Sequence, residues 1–426
     1  MNNTKFVLAS LIFFISSNIF AQNNTSSPYS RYAIGDLANQ KYGQFQGIGG
    51  AAIGVRNSYY LNFNNPASYT AMDTLSFTWE FGTKGQFTEY TTQTENQSMF
   101  DMNFSYMAAG FPIKKWWAAS FGLLPYSDVG YSITTNETTV SPWGDNETIR
   151  SYHNGSGGIN QVYIGNAFDL PHNISIGFNA KYLFGTIEHR RTVNILDEDE
   201  GIIPANFSTN EIQQMVVSGF TYDFGIQYHN TLKNKWGYSL GLVFANESKV
   251  NAFNDIFIEK VNAYGLIDTT TNTEDEKDHI LLPRNIGIGL NMYNEKLLFA
   301  FDFTTQNWSS STFLGKEEPL ANLSRINMGL EYIPNYRSLK YLARVRYRAG
   351  AKYEKSYLTL KGEQLKNYGV SFGIGLPLKK RKSTININFE LGKRGTTDNN
   401  LIEENYALIS LNLSLHDIWF VRRKFD

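Results

Sequence analysis

The chain has 426 residues, with 38 Lys and Arg against 39 Asp and Glu, a formal net charge of -1, and no cysteine. That balance leaves no global basic footprint for nucleic acid, and the missing thiols exclude disulfides, thiolate metal sites and cysteine nucleophiles together. Aromatic residues make up 15% of a chain also frequent in Asn, Thr, Ser and Gly, which suits a membrane barrel, where only alternate residues touch lipid.

Residues 1–21 read as a secretory signal. Lys5 supplies the positive start, Phe6 to Phe20 an apolar run, and Ala21 a small residue before Gln22. The run is short for a membrane helix and is broken by Ser16, Ser17 and Asn18. No later stretch is apolar enough to span as a helix.

Residues 22–73 follow as one unit. Within it, GQFQGIGGAAIGVRNSYYLNFNNPASYTA (Gly43 to Ala71) is Gly-rich and ends on Asn65-Pro66-Ala67. Gly47, Gly49, Gly50 and Gly54 allow close backbone approach, and Pro66 turns the chain. Gly47-x-Gly49-x-x-Ala52 resembles a short dinucleotide fingerprint, but no strand precedes it and no helical crossover follows. The stretch predicts a folded plug inside a barrel wall, the plainer alternative being a surface turn before the first strand.

From Thr74 to residue 420, period-2 alternation recurs between turn signals. Leu75, Phe77, Trp79 and Phe81 share one face, with Ser76, Thr78 and Glu80 on the other. Phe220, Tyr222, Phe224 and Ile226 alternate with Thr221, Asp223 and Gly225. Strands are predicted at 75–87, 100–111, 116–127, 158–169, 174–193, 214–230, 235–252, 280–293, 296–308, 323–334, 340–356, 367–378, 383–394 and 405–416. An even count of about fourteen predicts an all-β, antiparallel transmembrane barrel. Short connections near 112–115, 170–173, 231–234, 293–295, 335–339 and 379–382 alternate with longer ones, as periplasmic turns alternate with outer loops. Both termini then fall on the periplasmic side of an outer membrane, whose lipid surrounds the wall.

Lys340 to Lys355 is the most unusual predicted strand. Arg344, Arg346, Arg348 and Lys352 share one face, and a cation facing lipid at the midplane costs about 2–4 kcal/mol. The row is therefore predicted to face the lumen, where Asp223, Asp302, Glu331 and Glu390 also point. Three readings remain open: an ion-pair network that holds the plug, an anion-selective channel, and an ordinary polar barrel interior. The alternation leaves little apolar lining on the wall. A pocket for an apolar ligand would fall to Tyr59, Tyr60, Leu61 and Phe63, or to the outer loops.

Acidic runs at Asp197–Ile203 and Thr269–Asp278 read as solvated outer loops, and neither has EF-hand spacing. The six His have no metal-ligand spacing and no GxSxG elbow exists, so no enzyme, metal or cofactor is predicted. Trp419 and Phe420 fit an aromatic girdle, and Arg422, Arg423 and Lys424 a short basic tail over 421–426.

GIGGAAIGV followed by NNPASY resembles the N-terminal signature of the FadL/OmpP1/TodX outer-membrane barrel family. Gly47, Gly49, Gly50 and Ala51 match its Gly-rich run, and Asn65, Pro66 and Ala67 its NPA motif. SPYSRYAIGDL and DIWFVRRKFD resemble members from Bacteroidota. The resemblance implies a 14-stranded barrel with an N-terminal hatch in its lumen. It also implies passive, hatch-gated uptake of a small hydrophobic compound of the long-chain fatty acid type. Gating would then rest on Gly47, Gly49, Gly50, Asn65 and Pro66. The alternative within the same family is a non-transporting, plugged barrel subunit of an outer-membrane secretion or barrel-assembly complex, with other envelope proteins as partners.

Overall fold

The computed structural model describes residues 25–38, 42–140, 146–196, 207–233, 235–262, 267–313, 320–378 and 383–418. The leader read at 1–21, the acidic run at 197–203, Trp419, Phe420 and the tail at 421–426 lie outside the described residues.

Fourteen antiparallel strands form the wall: β1 (Ser76–Thr91), β2 (Asn96–Lys114), β3 (Trp117–Val140), β4 (Asn146–Leu170), β5 (Ile174–Leu196), β6 (Phe207–Thr231), β7 (Gly237–Ala245 with Ser248–Asn262), β8 (Ile267–Leu282 with Asn285–Tyr293), β9 (Leu297–Gln306), β10 (Leu323–Tyr332), β11 (Arg346–Leu360), β12 (Glu363–Pro377), β13 (Thr384–Arg394) and β14 (Glu403–Ile418). Each half of β7 pairs with β6 and with the matching half of β8. β14 pairs with β1 from Glu403↔Thr91 to Ile418↔Ser76, which closes the barrel and removes the sheet edges there.

The wall is inside out relative to a soluble protein. On β6, Phe220 is 61% exposed while Gln227 is fully buried. Phe303, Phe372, Ile409 and Leu411 likewise face outward. This apolar belt is what lets the strands stand in lipid, since a closed ladder satisfies every backbone group it pairs. Among the described residues, no helix is long and apolar enough to cross a membrane.

Past the belt, the alternation keeps its phase but swaps its chemistry. Met215 and Val217 of β6, and Leu183 and Ile187 of β5, point inward and are buried. They join one apolar cluster with Tyr29, Ile34, Trp308, Tyr357 and Leu358. The sequence reading found little apolar lining because it followed only the lipid-facing rows. The cluster sits at the far end of the barrel, where β14 begins; the near end is where β14 finishes at Ile418.

Three further expectations are corrected. The alternation of short and long connections does not hold. Far-end connections at 92–95 and 361–362 are short, and the near-end connection 333–345 is long. Far-end length goes into ladder instead: β3 and β4 pair from Trp117↔Phe168 to Val140↔Asn146. Residues 269–278 belong to β8 and pair with β7 rather than forming a loop, in keeping with the strand preference of a Thr-rich stretch. The strand expected from Lys340 begins at Arg346, because Tyr341–Arg344 forms a 3-10 turn.

The chain enters the barrel at the far end. Ser26 Oγ donates to Asp101 Oδ1 at 2.6 Å, Ser27 Oγ to Glu404 Oε1 at 2.5 Å, and Tyr29 OH to the Ile402 carbonyl. A two-residue strand, Asp36–Leu37, pairs with Asp128 and Ser127 of β3. The first described residues thus lie at the opposite end of the barrel from Ile418, while both termini, expected on one side, lie outside the described residues. Residues 42–71 then fill the lumen at the level of the belt. Gly43–Ile48 is a 3-10 turn ended by Gly49 in the left-handed region (φ 69°). Pro66–Ala71 is another, capped by Asn65 Oδ1 accepting from the Ala67 N–H at 3.1 Å.

This inner segment rests directly on wall backbone. Across β5 to β11 the wall presents Gly177, Gly225, Gly241, Gly289, Ala300, Gly329 and Gly350 to it. These residues pair across strands as Gly177↔Gly225, Gly289↔Gly241, Ala300↔Gly329 and Gly329↔Gly350. A Cβ on Gly177 would lie 2.5 Å from the Pro66 carbonyl carbon, and one on Gly350 would collide with the Gly49 nitrogen. Gly350→Val should therefore destabilise the barrel by about 1–3 kcal/mol through overpacking. Heat-dependent unfolding followed on detergent gels should register that loss, with the outward-facing Gly85→Ala unchanged.

Candidate functional site

The lumen at belt level is held by buried charges on β9 to β13. Asp302 on β9 is 2% exposed, and its Oδ2 accepts from the Ala52 N–H at 2.6 Å and the Ile53 N–H at 2.8 Å. Those donors sit where the Gly-rich run bends, so a wall carboxylate satisfies plug backbone that has no ladder.

Beside it, Glu331 on β10 binds two cations of β11, Arg346 Nη1 at 2.7 Å and Arg348 Nε at 2.7 Å. Arg348 also donates to Asn386 Oδ1 at 2.8 Å and to Tyr60 OH at 3.0 Å, while Arg346 lies 4.6 Å from the centre of the Tyr59 ring. The plug's two tyrosines thus stack on and bond to the arginine row. Lys352 pairs with Glu390 at 2.5 Å, and Tyr406 OH donates to the same carboxylate at 3.1 Å. Asp223 pairs with Lys181 away from this group. Of the expected lumenal charges, Arg344 alone is misplaced: it lies in the near-end turn, over the Tyr341 ring at 5.5 Å, because the strand starts after it.

The expected plug residues make contacts rather than carry chemistry. Gly49 N–H donates to Ser371 Oγ at 2.9 Å; Gly47 packs on the backbone of Gly373; Gly50 N–H donates to the Phe45 carbonyl at 2.8 Å. Asn65 Nδ2 donates to the Ile53 carbonyl at 2.8 Å, tying Pro66 to the middle of the plug. Leu61 and Phe63 pack with Tyr42, Tyr69 and Tyr106 in an apolar cluster.

Two lumenal groups were not among the charges expected from the sequence. Glu80 on β1 is 2% exposed and accepts from the Leu61 N–H at 3.0 Å, Tyr106 OH at 3.1 Å and Ser414 Oγ at 3.1 Å. It stood on the inward row of an alternating strand, which was the available signal. Arg56 donates to Ser175 Oγ at 3.1 Å, Gln227 Oε1 at 3.2 Å and Thr70 Oγ1 at 3.0 Å. Burial lowers its pKa, with the field of Asp169 opposing. No sequence pattern marked it.

The space left over is small. A cavity of about 50 Å³ lies above the plug among Tyr42, Phe63, Lys181, Asp223 and Arg325. One of about 110 Å³ lies toward the far end among Asp36, Lys84, Asp101 and Glu404. A larger one of about 360 Å³ faces the near end, among Arg56, Tyr59, Tyr293, Leu297, Tyr336 and Arg346. Among the described residues, no group of three or more His, Asp or Glu is placed to hold a metal ion.

Two substitutions separate the contributions. Glu331→Gln strands two buried guanidinium groups and should cost about 3–5 kcal/mol of stability, read from denaturant midpoints. Asp302→Ala should instead raise hydrogen exchange selectively at the amides of Ala52 and Ile53 while the wall stays protected.

Solved structures share this architecture at low identity, which speaks for the fold. The Pseudomonas putida toluene transporter TodX matches with TM-score 0.58 and 14% identity over 91% of this chain and 100% of that one. The Ralstonia pickettii toluene transporter TbuX matches with TM-score 0.56 and 11% identity over 88% and 98%. A Pseudomonas aeruginosa FadL homologue matches with TM-score 0.53 and 12% identity over 90% and 98%. No curated protein sequence matches the chain. The fold is therefore that of the FadL-type barrels the N-terminal motif resembles. At the level of sequence family, the model that matches is the one described as BamG, over residues 3–426, so the chain belongs to the BamG family.

Proposed function

We propose that the chain is an outer-membrane barrel whose lumen stays plugged, acting as a non-transporting, partner-binding subunit of a secretion or barrel-assembly complex. In this reading the near end faces the periplasm. One observation carries this reading: plug backbone lies against wall backbone along β5 to β11, at positions where no side chain fits. A gate needs room to move or a low cost of release. Here release would expose the Asp302 carboxylate and two N–H groups bonded to it, and hydrogen bonds to a charged group are worth about 1.5–3 kcal/mol each. It would also separate the Tyr60–Arg348 contact from a buried ion triad. The far-end apolar cluster adds a second closure above the plug. Membership of the BamG family leaves this reading open.

The second reading is passive uptake of a small hydrophobic compound, with lipid on the outside and no cofactor. It is favoured by likeness in fold to proteins described as toluene transporters, and by the near-end cavity of about 360 Å³, a size that suits one small molecule. In that case Gly47, Gly49, Gly50, Asn65 and Pro66 would form the moving part.

Native purification of the full chain in mild detergent, with mass spectrometry of bound proteins and lipids, separates the two. The plugged-subunit reading expects a stoichiometric set of envelope proteins, and no conductance or apolar-ligand uptake in liposomes. A lone barrel that carries an apolar ligand and mediates its uptake would reverse the order.

A further inference from the structure

The cavity of about 360 Å³ at the near end carries more positive charge than its carboxylates offset. Arg346 and Arg348 share the single carboxylate of Glu331, so that buried triad keeps one net positive charge. Arg56, also on the cavity wall, donates to Ser175 Oγ, Gln227 Oε1, Thr70 Oγ1 and the Ala67 carbonyl, all of them neutral. Asp169 is an exposed residue and reaches Arg56 only through Ser175, whose Oγ donates to it at 2.8 Å. At the mouth, Glu295 offsets Lys296. Two positive charges thus face one cavity without a paired acid among the described residues.

A buried cation is costly unless an anion meets it. Arg346 gives Nη1 to Glu331 and makes no other hydrogen bond among the described residues. A planar guanidinium with N–H groups in hand, beside a second guanidinium, is suited to receive a carboxylate. The rest of the wall is apolar or aromatic, with Tyr59, Tyr293, Leu297, Ile333 and Tyr336. The volume is at the lower end of the range for ligand sites, about 300–1,000 Å³, and admits side chains rather than a folded body.

The rim of the cavity continues into an exposed surface. Tyr336 lines the cavity and belongs to the long near-end connection 333–345. That loop is fixed by its own bonds, from Ile333 N–H to the Lys296 carbonyl at 2.7 Å and from Asn335 N–H to the Ala343 carbonyl at 2.8 Å. It nevertheless holds Leu339 fully exposed and Leu342 71% exposed, with Arg337 and Lys340 exposed beside them. Apolar side chains held out by an ordered loop mark an interaction surface. A small free anion would use the cavity alone. A polypeptide segment uses both features, with its acid in the cavity and its apolar neighbours on the loop.

We propose that the near-end cavity and the 333–345 loop form a docking site for a segment of another envelope protein, an Asp or Glu flanked by apolar residues, with its carboxylate seated against Arg56 and Arg346. This deepens the plugged-subunit reading and rests on it.

The chain has no cysteine, so single-cysteine variants report position cleanly. Lys296→Cys at the mouth and Leu339→Cys on the loop are made in the full chain. Lys115→Cys is the control, on an exposed turn of the same end but across the barrel, between β2 and β3. Cross-linking in native envelopes should join the first two positions to one segment of a different protein, with an Asp or Glu among apolar residues. The control should not reach that segment. Lys296→Glu reverses the charge at the mouth without touching the buried triad. It should lower recovery of that protein about tenfold, and more added salt should lower it further, while the barrel keeps its heat resistance. Neutralising the mapped acid in the partner should cost as much, and the two changes together no more than either alone. If partners co-purify but cross-link elsewhere, and Lys296→Glu leaves their recovery unchanged, the docking proposal falls while the subunit reading stands. If the two positions capture only lipid, or a small anion co-purifies and is lost in Lys296→Glu while partner recovery holds, the proposed occupant is wrong. If nothing co-purifies at all, the subunit reading falls and the docking proposal with it.

Discussion

Everything in this molecule follows from placing a ladder of fourteen strands in hydrocarbon. Backbone groups there have no water to fall back on, so they must pair along a closed wall. Closure at Glu403↔Thr91 through Ile418↔Ser76 meets that demand, and it creates a second one. A ring of this many strands is too wide for its own inward side chains to fill. The plug answers the second demand. Its backbone is irregular, so its polar groups need partners from the wall, and the wall supplies Asp302, Ser371, Gln227 and Glu80.

Those partners explain why the wall looks as it does. Where plug backbone packs directly on wall backbone, the inward residues are Gly or Ala. Where Tyr59 and Tyr60 of the plug touch it, the inward residues are charged and matched. Tyr60 meets Arg348, and Arg348 meets Glu331. Buried ion pairs of this kind contribute little net stability against an apolar replacement, but breaking one leaves a stranded charge. They specify which plug conformation fits more than they add stability, and the same holds for the small-residue belt.

The wall itself was legible in the sequence because lipid on one side and a polar lumen on the other impose a two-residue period. Strands such as 174–193 and 405–416 were placed within a few residues, and the inward sense of Arg346, Arg348, Lys352, Glu331 and Glu390 followed from it. Arg344 was lost because a turn can carry the same alternation as a strand. The far-end core escaped because its rows, Met215-x-Val217 and Leu183, lie on the face that the belt rule assigns to polar residues. The glycine belt had a visible signal in SIGFN, NIGIGL and NMGLEY, where Gly recurs on the inward row, though which plug atoms would meet it depends on tertiary contacts alone. The bulge of β3 between Pro125 and Ser127 also had a signal, since Pro inside a predicted strand marks an edge or a bulge.

The routing of the N-terminal segment shapes the wall as well as the lumen. The segment runs in at the far end, and on the way it bonds to Gly130 through Ser30 and pairs with β3 through Asp36 and Leu37. Among the described residues, the β2–β3 ladder ends at Met107↔Leu123, and the two-residue strand pairs with β3 beyond it, past the bulge that follows Pro125. The β3–β4 ladder on the other side continues to Val140↔Asn146. The segment that leads into the plug is thus anchored on backbone of the same wall strand that carries the bulge, so lumen filling and wall geometry are set by one set of backbone bonds.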